Sequence, residues 1–194
     1  MVPTPVDGSR VITELSVIMF GLEETEPSLS LLPDDPLDAR AYTAIDEAGR
    51  GISPPGCITV TLATADRKYF LVTMTPWERE ARYARNSNWE RGEIWRDCIE
   101  MVPEAPRVEA AIRHYDAAFD DMERKFCETA WLGGRNFGFA DNCMIPYEKR
   151  LSMIYTDSLC TRNRPNVTEC FERMEARPSY ENAVLDCMTG EDHE

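Results

Sequence analysis

The chain has 194 residues, of which 21 are basic and 35 acidic, giving a formal net charge of −14. Its 43% hydrophobic and 29% charged residues are typical of a folded globular protein, and the length fits one domain or one domain with a small appendage. The negative charge argues against nucleic acid as a partner, and the lack of ~20 consecutive apolar residues or a signal-peptide pattern argues against a membrane span and for a cytoplasmic protein.

Helical signals dominate the chain from Asp35 onward. Asp35 can cap a helix and Pro36 suits the first helical position, so we predict a helix from Pro36 to about Ala48. The next apolar run, residues 57–62, alternates apolar residues with threonine. On its own, this period of two predicts a strand.

The middle of the chain carries the two clearest helix patterns. Thr75 and Glu78 have the spacing of a capping box, which predicts a helix from there to about Asn88. Pro106 opens the longest amphipathic pattern, and we expect this helix to form the backbone of the core. Its apolar residues recur at intervals of three and four: Val108, Ala111, Ile112, Tyr115, Phe119, Met122 and Phe126.

Three further helix starts follow. A helix that begins near Gly138 contains Pro146, which should kink it. Another begins at Pro165 and runs to about Ala176, and the last begins after Pro178. About five or six helices in succession predict a mainly α protein built as a helical bundle.

The seven cysteines include no CxxC pair, and only two histidines are present. We therefore expect reduced, packed thiols and no metal site. Cys98 and Cys143 are the candidate nucleophiles, Cys143 because the dipole of the predicted helix that begins near Gly138 favours a thiolate in its first turn. A structural role is favoured for both thiols. His114 lies off the apolar stripe of its helix and should be exposed.

Three stretches, in this order along the chain, resemble the glutathione S-transferase superfamily. Residues 2–14 are similar to the segment in which a valine and a cis-proline precede a strand, a turn, a second strand and a helix. Residues 131–141 (WLGGRNFGFAD) resemble the family's central signature, and residues 164–180 resemble its C-terminal end. The sequence MIPYEKRL at residues 144–151 is similar to the bacterial and fungal branch that contains reductive dehalogenases and β-etherases.

The resemblance implies a helical domain of the transferase type at residues 36–190. It also implies that residues 1–30 are the end of a thioredoxin-like domain, with a remnant β-hairpin and helix. Family members carry their catalytic Tyr, Ser or Cys before this segment, so we expect an N-terminally truncated chain. By the same resemblance, residues 58–71 should be mainly helical, in conflict with the strand predicted for residues 57–62.

The resemblance also assigns a degenerate glutathione site. Val2 and Pro3 match the valine and cis-proline that face the cysteinyl part of glutathione, and Glu14 matches the acidic residue that holds the γ-glutamyl group. Leu15 replaces the serine that follows this acidic residue in the family. Because leucine cannot donate a hydrogen bond to a carboxylate, glutathione binding is doubtful; the lost donor would cost about 1–3 kcal/mol.

The start of the helix near Gly138 departs from the family in one position. Gly138 stands where the family has a capping serine or threonine, whereas Asp141, the acidic half of the same box, is kept. Glycine is a tolerable cap, so we expect it to cost only a few tenths of a kcal/mol relative to serine. Asp141 is interpreted as helix-start chemistry rather than as a catalytic residue.

Candidate residues for the acceptor molecule lie after Pro146. Tyr147 and Arg150 are three apart on one helix face, where the related branch lines its acceptor pocket, and such a pair can orient a phenolate or carboxylate. The alternative is that Tyr147 packs in the core and Arg150 pairs with an acidic neighbour. The tryptophans and a nearby tyrosine could form an aromatic wall or simply pack; they are Trp77, Trp89, Trp95 and Tyr83.

These observations predict a glutathione S-transferase-like protein that binds or acts on a small hydrophobic or aromatic molecule. Two alternatives stay open: a glutathione-independent isomerase, lyase or cyclase that uses the pocket of the helical domain, and a non-catalytic dimerisation or binding module. The apolar segment at residues 15–22 lacks much of the cover that a complete family member provides. We expect it to dock on a second copy of the chain, forming a homodimer, or on the helical domain.

Overall fold

In a computed structural model, the structure describes residues 6–7, 10–11, 15–26, 30–32, 55–86, 88–102, 105–154 and 158–185. The helix predicted from Pro36 to about Ala48 lies outside these residues. The candidate glutathione residues Val2, Pro3 and Glu14 also lie outside them.

The described chain is mainly helical, as predicted, with one short antiparallel hairpin. Strand β1 (Val6–Asp7) pairs with β2 (Arg10–Val11). The helices, in chain order, are α1 (Leu15–Thr25), α2 (Pro55–Thr61), α3 (Arg67–Thr73), α4 (Pro76–Ala84), α5 (Trp89–Glu100), α6 (Pro106–Phe126), α7 (Phe139–Met153), α8 (Ser158–Thr161), α9 (Pro165–Glu175) and α10 (Pro178–Tyr180). Two π-helical segments, Leu62–Asp66 and Glu181–Leu185, continue α2 and α10.

The strand predicted for residues 57–62 is wrong, and the helix implied by the resemblance for residues 58–71 is confirmed. Helix α2 is buried on several sides: Thr59 and Val60, which alternation would place on opposite faces, are both only 4% exposed. A helix surrounded in this way needs no polar face, so its sequence loses the period of 3.6. The Thr64 hydroxyl donates to the Val60 carbonyl at 2.7 Å, which satisfies a threonine inside the helix.

The capping box at the start of α4 is confirmed. The Thr75 amide donates to Glu78 Oε2 at 2.7 Å, and the Glu78 amide donates to Thr75 Oγ1 at 3.3 Å. The helix ends at Ala84, earlier than predicted, and Asn88 instead caps α5 by accepting from the Glu90 amide at 3.0 Å. The local pattern therefore fixed where α4 begins but not where it ends.

Helix α6 joins two hydrophobic clusters. Val108 packs in the smaller cluster with residues of α3 to α5, whereas Tyr115 and Phe119 are completely buried in the larger cluster with α7 and α9. The predicted stripe is therefore confirmed as the backbone of the core, except that Ile112 is 40% exposed. His114 is exposed, as predicted.

The start of α7 is held by the segment that follows α1. The Leu31 carbonyl accepts from the Phe139 amide at 3.1 Å, and an added Cβ at Gly138 would lie only 2.7 Å from that same carbonyl oxygen. Asp141 is fully buried and accepts from the Gly138 and Leu132 amides at 2.9 and 2.8 Å. Burial raises the pKa of Asp141, against the opposing effect of these backbone hydrogen bonds. The glycine is thus required by close backbone approach rather than merely tolerated as a cap.

Helix α1 docks on the helical domain in the same place. Its Phe20 ring meets the Phe139 ring edge to face, with centroids 6.2 Å apart, and its Glu23 carboxylate accepts from the Leu31 amide at 3.0 Å. Three of its apolar side chains nevertheless remain substantially exposed: Val17 at 55%, Phe20 at 43% and Leu22 at 59%. Docking on the helical domain therefore covers this helix only in part.

The junction between α8 and α9 is fixed by acidic residues of α6. The buried Arg164 guanidinium donates to Asp120 at 2.8 Å and to Asp116 at 3.1 Å. Glu123 accepts from the amides of Asn166 and Val167, at 3.2 and 2.9 Å, and so caps the start of α9 from another helix. These contacts anchor the C-terminal part of the chain to the core helix.

Candidate functional site

Tyr147 and Arg150 lie on α7, and a side chain of α2 fixes the arginine. Arg150 is half-buried, and its Nε donates to Thr61 Oγ1 at 3.2 Å. Thr61 is itself only 7% exposed, so its hydroxyl is held within the packed interior. Among the residues that the structure describes, Arg150 forms no ion pair with a carboxylate. Within the described residues, the terminal N–H groups of the guanidinium thus meet no carboxylate, while its Nε is held by Thr61.

Tyr147 packs partly against the larger cluster, next to a deeply buried second tyrosine. Tyr115 of α6 is completely buried, and its hydroxyl has no hydrogen-bond partner in the described chain. Burial, followed by the neighbouring Cys57 thiol and Tyr147 hydroxyl, raises the pKa of Tyr115 far above its usual range. Tyr115 is therefore a neutral phenol at neutral pH.

The arrangement combines a fixed cation with a phenolic hydroxyl on one helix face. An arginine guanidinium can donate two parallel hydrogen bonds to a carboxylate, or one to a phenolate or carbonyl oxygen. Half-burial strengthens such an interaction, because the effective dielectric constant is lower than in bulk water. Tyr147 could donate to, or pack against, an aromatic ligand held there. The alternative, in which Tyr147 packs in the core and Arg150 pairs with an acidic neighbour, remains a second interpretation of the same residues.

The candidate thiols fit structural roles. Cys98 is completely buried, and burial raises the pKa of its thiol to about 11, so it is not a thiolate at neutral pH. Cys143 is half-buried in the first turn of α7. Across the described ranges, the structure shows no group of three or more His, Cys, Asp or Glu side chains placed to hold a metal ion.

The proposed aromatic wall does not form. Trp77 and Trp89 are 81% and 77% exposed, whereas Trp95 packs edge to face on Phe70, with ring centroids 5.5 Å apart. Tyr83 is buried as part of the smaller cluster. These side chains are thus divided between solvent and core.

Sequence reasoning missed the residue that holds Arg150, Thr61, and the buried tyrosine near Tyr147, Tyr115. Thr61 precedes Arg150 by 89 positions, so no local spacing could connect them. Tyr115 was recognised only as a member of the α6 stripe. The one available signal was Thr61 itself, which lies in a segment that the resemblance makes helical. A buried threonine hydroxyl needs a hydrogen-bond partner, which would have pointed to a contact such as the one with Arg150.

No helix in the part of the chain that the structure describes is long and apolar enough to cross a membrane. No protein-family model matches the sequence. One curated relative, the glutathione S-transferase TCHQD of Arabidopsis thaliana, is 31% identical over 71 residues. That match covers 37% of this chain but only 27% of the relative, so the chain matches about a quarter of its length.

Solved structures match over nearly the whole chain. The β-etherase LigF from Sphingobium sp. strain SYK-6 superposes with a TM-score of 0.71 at 20% identity, covering 93% of this chain and 76% of that one. A glutathione S-transferase from Methylobacterium radiotolerans, solved with glutathione sulfonate, gives a TM-score of 0.64 at 20% identity, covering 95% and 72%. The comparisons therefore confirm the resemblance and show that this chain has the fold of the glutathione S-transferase superfamily.

Proposed function

We propose that this is a glutathione S-transferase-like protein that binds a small hydrophobic or aromatic molecule beside Tyr147 and Arg150. The observation that carries the proposal is the state of Arg150: half-buried, held at Nε by Thr61, and without a carboxylate partner among the described residues. A cation kept in this way is suited to a ligand that brings its own oxygen anion or carbonyl. The fold supports the same class of function, since it is that of the transferases.

In this proposal Arg150 has two roles. It orients the bound molecule through its terminal N–H groups, and it stabilises negative charge that develops on an oxygen during the reaction. Tyr147 contributes an aromatic surface and a hydroxyl donor. Thr61 acts through Arg150, as a positioning residue, because it restricts the guanidinium to one orientation.

Glutathione is the proposed co-substrate, held weakly. Val2 and Pro3 would face its cysteinyl part and Glu14 its γ-glutamyl group, as the resemblance implies, while Leu15 lacks the donor that a serine would supply. A complex with glutathione sulfonate among the similar structures supports this part of the proposal. Leu15→Ser should tighten glutathione binding measured by calorimetry, by about 1–3 kcal/mol. Equal binding by both forms, or none by either, would contradict a glutathione site of this kind.

The exposed apolar face of α1 supports a homodimer as part of the same proposal. Val17 and Leu22 are both more than half exposed, which is unfavourable for a helix in an isolated chain. Sedimentation velocity should show a dimer. A monodisperse monomer would contradict this part of the proposal and leave the Arg150 site unaffected.

The Arg150 site can be tested with two substrates that differ in charge. With glutathione present, turnover of 4-chloro-3-nitrobenzoate and of neutral 1-chloro-2,4-dinitrobenzene is measured for the wild type, Arg150→Gln and Arg150→Lys. We expect Arg150→Gln to lower kcat/KM for the carboxylate by about tenfold or more, and to lower it much less for the neutral compound. Arg150→Lys should recover part of the loss, because it restores the charge without the fork of donors.

Arg91→Gln is the matched control. Arg91 is exposed on α5, and its side chain forms no hydrogen bond or ion pair within the described residues. This variant should leave both substrates unaffected. Equal losses on the two substrates in Arg150→Gln, or equal effects in Arg91→Gln, would contradict the role given to Arg150. Absence of turnover and of glutathione retention in the wild type would refute a transferase and favour the glutathione-independent alternatives.

A further inference from the structure

A second candidate site lies in a cleft bordered by α2, α6 and the segment from α8 to the start of α9. The cleft has a volume of about 460 Å³, within the usual range for sites that hold small organic molecules. Neither Tyr147 nor Arg150 lines it. On α2, Val60 lines this cleft while its neighbour Thr61 holds Arg150, so the two sites use adjacent positions of one helix.

The floor of the cleft is apolar. It is lined by Val60, Ala63, Val108, Ile112 and Leu159. Ile112 is the exposed member of the α6 stripe, at 40% exposure, although its helix otherwise turns this face to the core. A ligand on this floor would cover the isoleucine and supply the apolar contact that the rest of the stripe already has.

One charged group that lines the cleft, Arg162, has no side-chain partner among the described residues. Arg162 is exposed at the end of α8, where its backbone amide donates to the Ser158 carbonyl at 3.2 Å. Within the described ranges, its guanidinium forms no ion pair or side-chain hydrogen bond. This is notable in a chain whose acidic residues outnumber its basic residues by 14. Ser158, which also lines the cleft, offers a hydroxyl near the same end.

The other charges of the cleft are engaged in the fold. Arg164 is bound by both Asp116 and Asp120, at 3.1 and 2.7 Å, and also donates to the Leu159 carbonyl at 2.6 Å. Asp116 faces the cleft but is paired with this buried guanidinium. Asn163, between the two arginines, adopts a left-handed conformation with φ of 60°, which asparagine accommodates better than most residues. The turn thus separates Arg164, which is paired within the fold, from Arg162, which has no side-chain partner in the described part of the chain.

We propose that this cleft binds a small organic carboxylate, with its apolar body on the floor and its carboxylate at Arg162 and the Ser158 hydroxyl. A guanidinium beside a hydroxyl matches the acceptor geometry of a carboxylate. An inorganic anion would leave the apolar floor uncovered, and a neutral apolar molecule would leave Arg162 unused. Because the cleft excludes Arg150, this site is separate from the one proposed for function.

The test uses 4-phenylbutyrate as a probe and its uncharged analogue 4-phenylbutanol as a comparison, with affinities from calorimetry. Arg162→Gln should weaken phenylbutyrate binding by about tenfold or more and leave the weaker binding of phenylbutanol unchanged. Ile112→Trp should weaken both compounds, because the larger side chain fills the floor. Arg162 is exposed and its side chain forms no ion pair or hydrogen bond with the residues that the structure describes, so Arg162→Gln should fold normally.

Two further variants make the assignment specific. Arg113→Gln removes the same charge from an exposed position on α6, where the arginine pairs with Glu109. It should bind phenylbutyrate like the wild type, and so should Arg150→Gln. Failure of phenylbutyrate to bind, equal weakening by Arg113→Gln and Arg162→Gln, or loss confined to Arg150→Gln would overturn the proposal. The last of these outcomes would at the same time support the Arg150 site.

Discussion

Replacing Gly138 with serine provides a direct test of how α7 is held. General capping preferences predict a gain of a few tenths of a kcal/mol, because serine is a better N-cap than glycine. The backbone of Gly138 also poses no obstacle, since its φ of −145° is open to any residue. The structure predicts the opposite result, because the new Cβ would lie 2.7 Å from the Leu31 carbonyl oxygen.

The expected loss follows from that contact. The atom in contact belongs to the backbone rather than to the tip of a flexible side chain, so the segment around Leu31 must move. Its 3.1 Å hydrogen bond from the Phe139 amide must then lengthen or break. Overpacking of this kind costs about 1–3 kcal/mol. For a protein of this size, a loss of about 2 kcal/mol lowers the melting midpoint by about 4–8 °C.

The measurement is thermal and urea unfolding followed by circular dichroism, with Gly21→Ala as the control. Gly21 lies inside α1 with no atom within 4 Å of the position that a Cβ would take, so alanine should stabilise there by about 0.5–1 kcal/mol. Opposite signs for the two variants would support the reasoning. A Gly138→Ser protein as stable as the wild type, or more stable, would refute it.

Three further predictions concern individual side chains. Glu123→Ala should destabilise the protein by about 1–2 kcal/mol, seen as a lower urea midpoint, because the start of α9 loses the acceptor of two amides. Arg79 donates to Glu100 at 2.6 Å and lowers the pKa of that carboxyl. The folded-state pKa of Glu100 lies below its unfolded value of about 4.3. The ionised carboxylate therefore stabilises the fold above the unfolded pKa, and this stabilisation is lost as the pH falls through the folded-state pKa. The difference in free energy of unfolding between the wild type and Glu100→Gln should accordingly become smaller below about pH 4. In native protein, a disulfide reagent should modify the exposed Cys127 well before Cys98, whose buried thiol has a pKa of about 11, and the order should disappear in denaturant.

Local patterns in the sequence were sufficient where the structure depends on neighbours along the chain. Thr75 and Glu78 form the capping box that their spacing predicts, and the stripe that begins at Val108 forms the core face of α6. The same reasoning failed for residues 57–62. There, burial on several sides of α2 removed the helical period, and packing outweighed the preference of threonine and β-branched residues for strands.

In the candidate site, too, the sequence predicted what depends on neighbours along the chain and not what depends on packing. The spacing of Tyr147 and Arg150 correctly places them on one helix. It could not show that Thr61, 89 positions earlier, would bind Arg150, nor that the Leu31 carbonyl would occupy the space beside Gly138. Both contacts join parts of the chain that are remote in sequence, so they depend on how the helices pack rather than on any motif.

The contact between Leu31 and α7 also gives a marker for comparing related sequences. A residue with a Cβ at position 138 would clash with residues 30–32 in their observed position. The residue type at position 138 is therefore linked to the path of a segment more than a hundred positions earlier in the chain. In a relative with serine or threonine there, the segment that enters the helical domain must run farther from the start of α7. Glycine at this position is therefore required wherever a backbone carbonyl approaches the start of α7 as the Leu31 carbonyl does here.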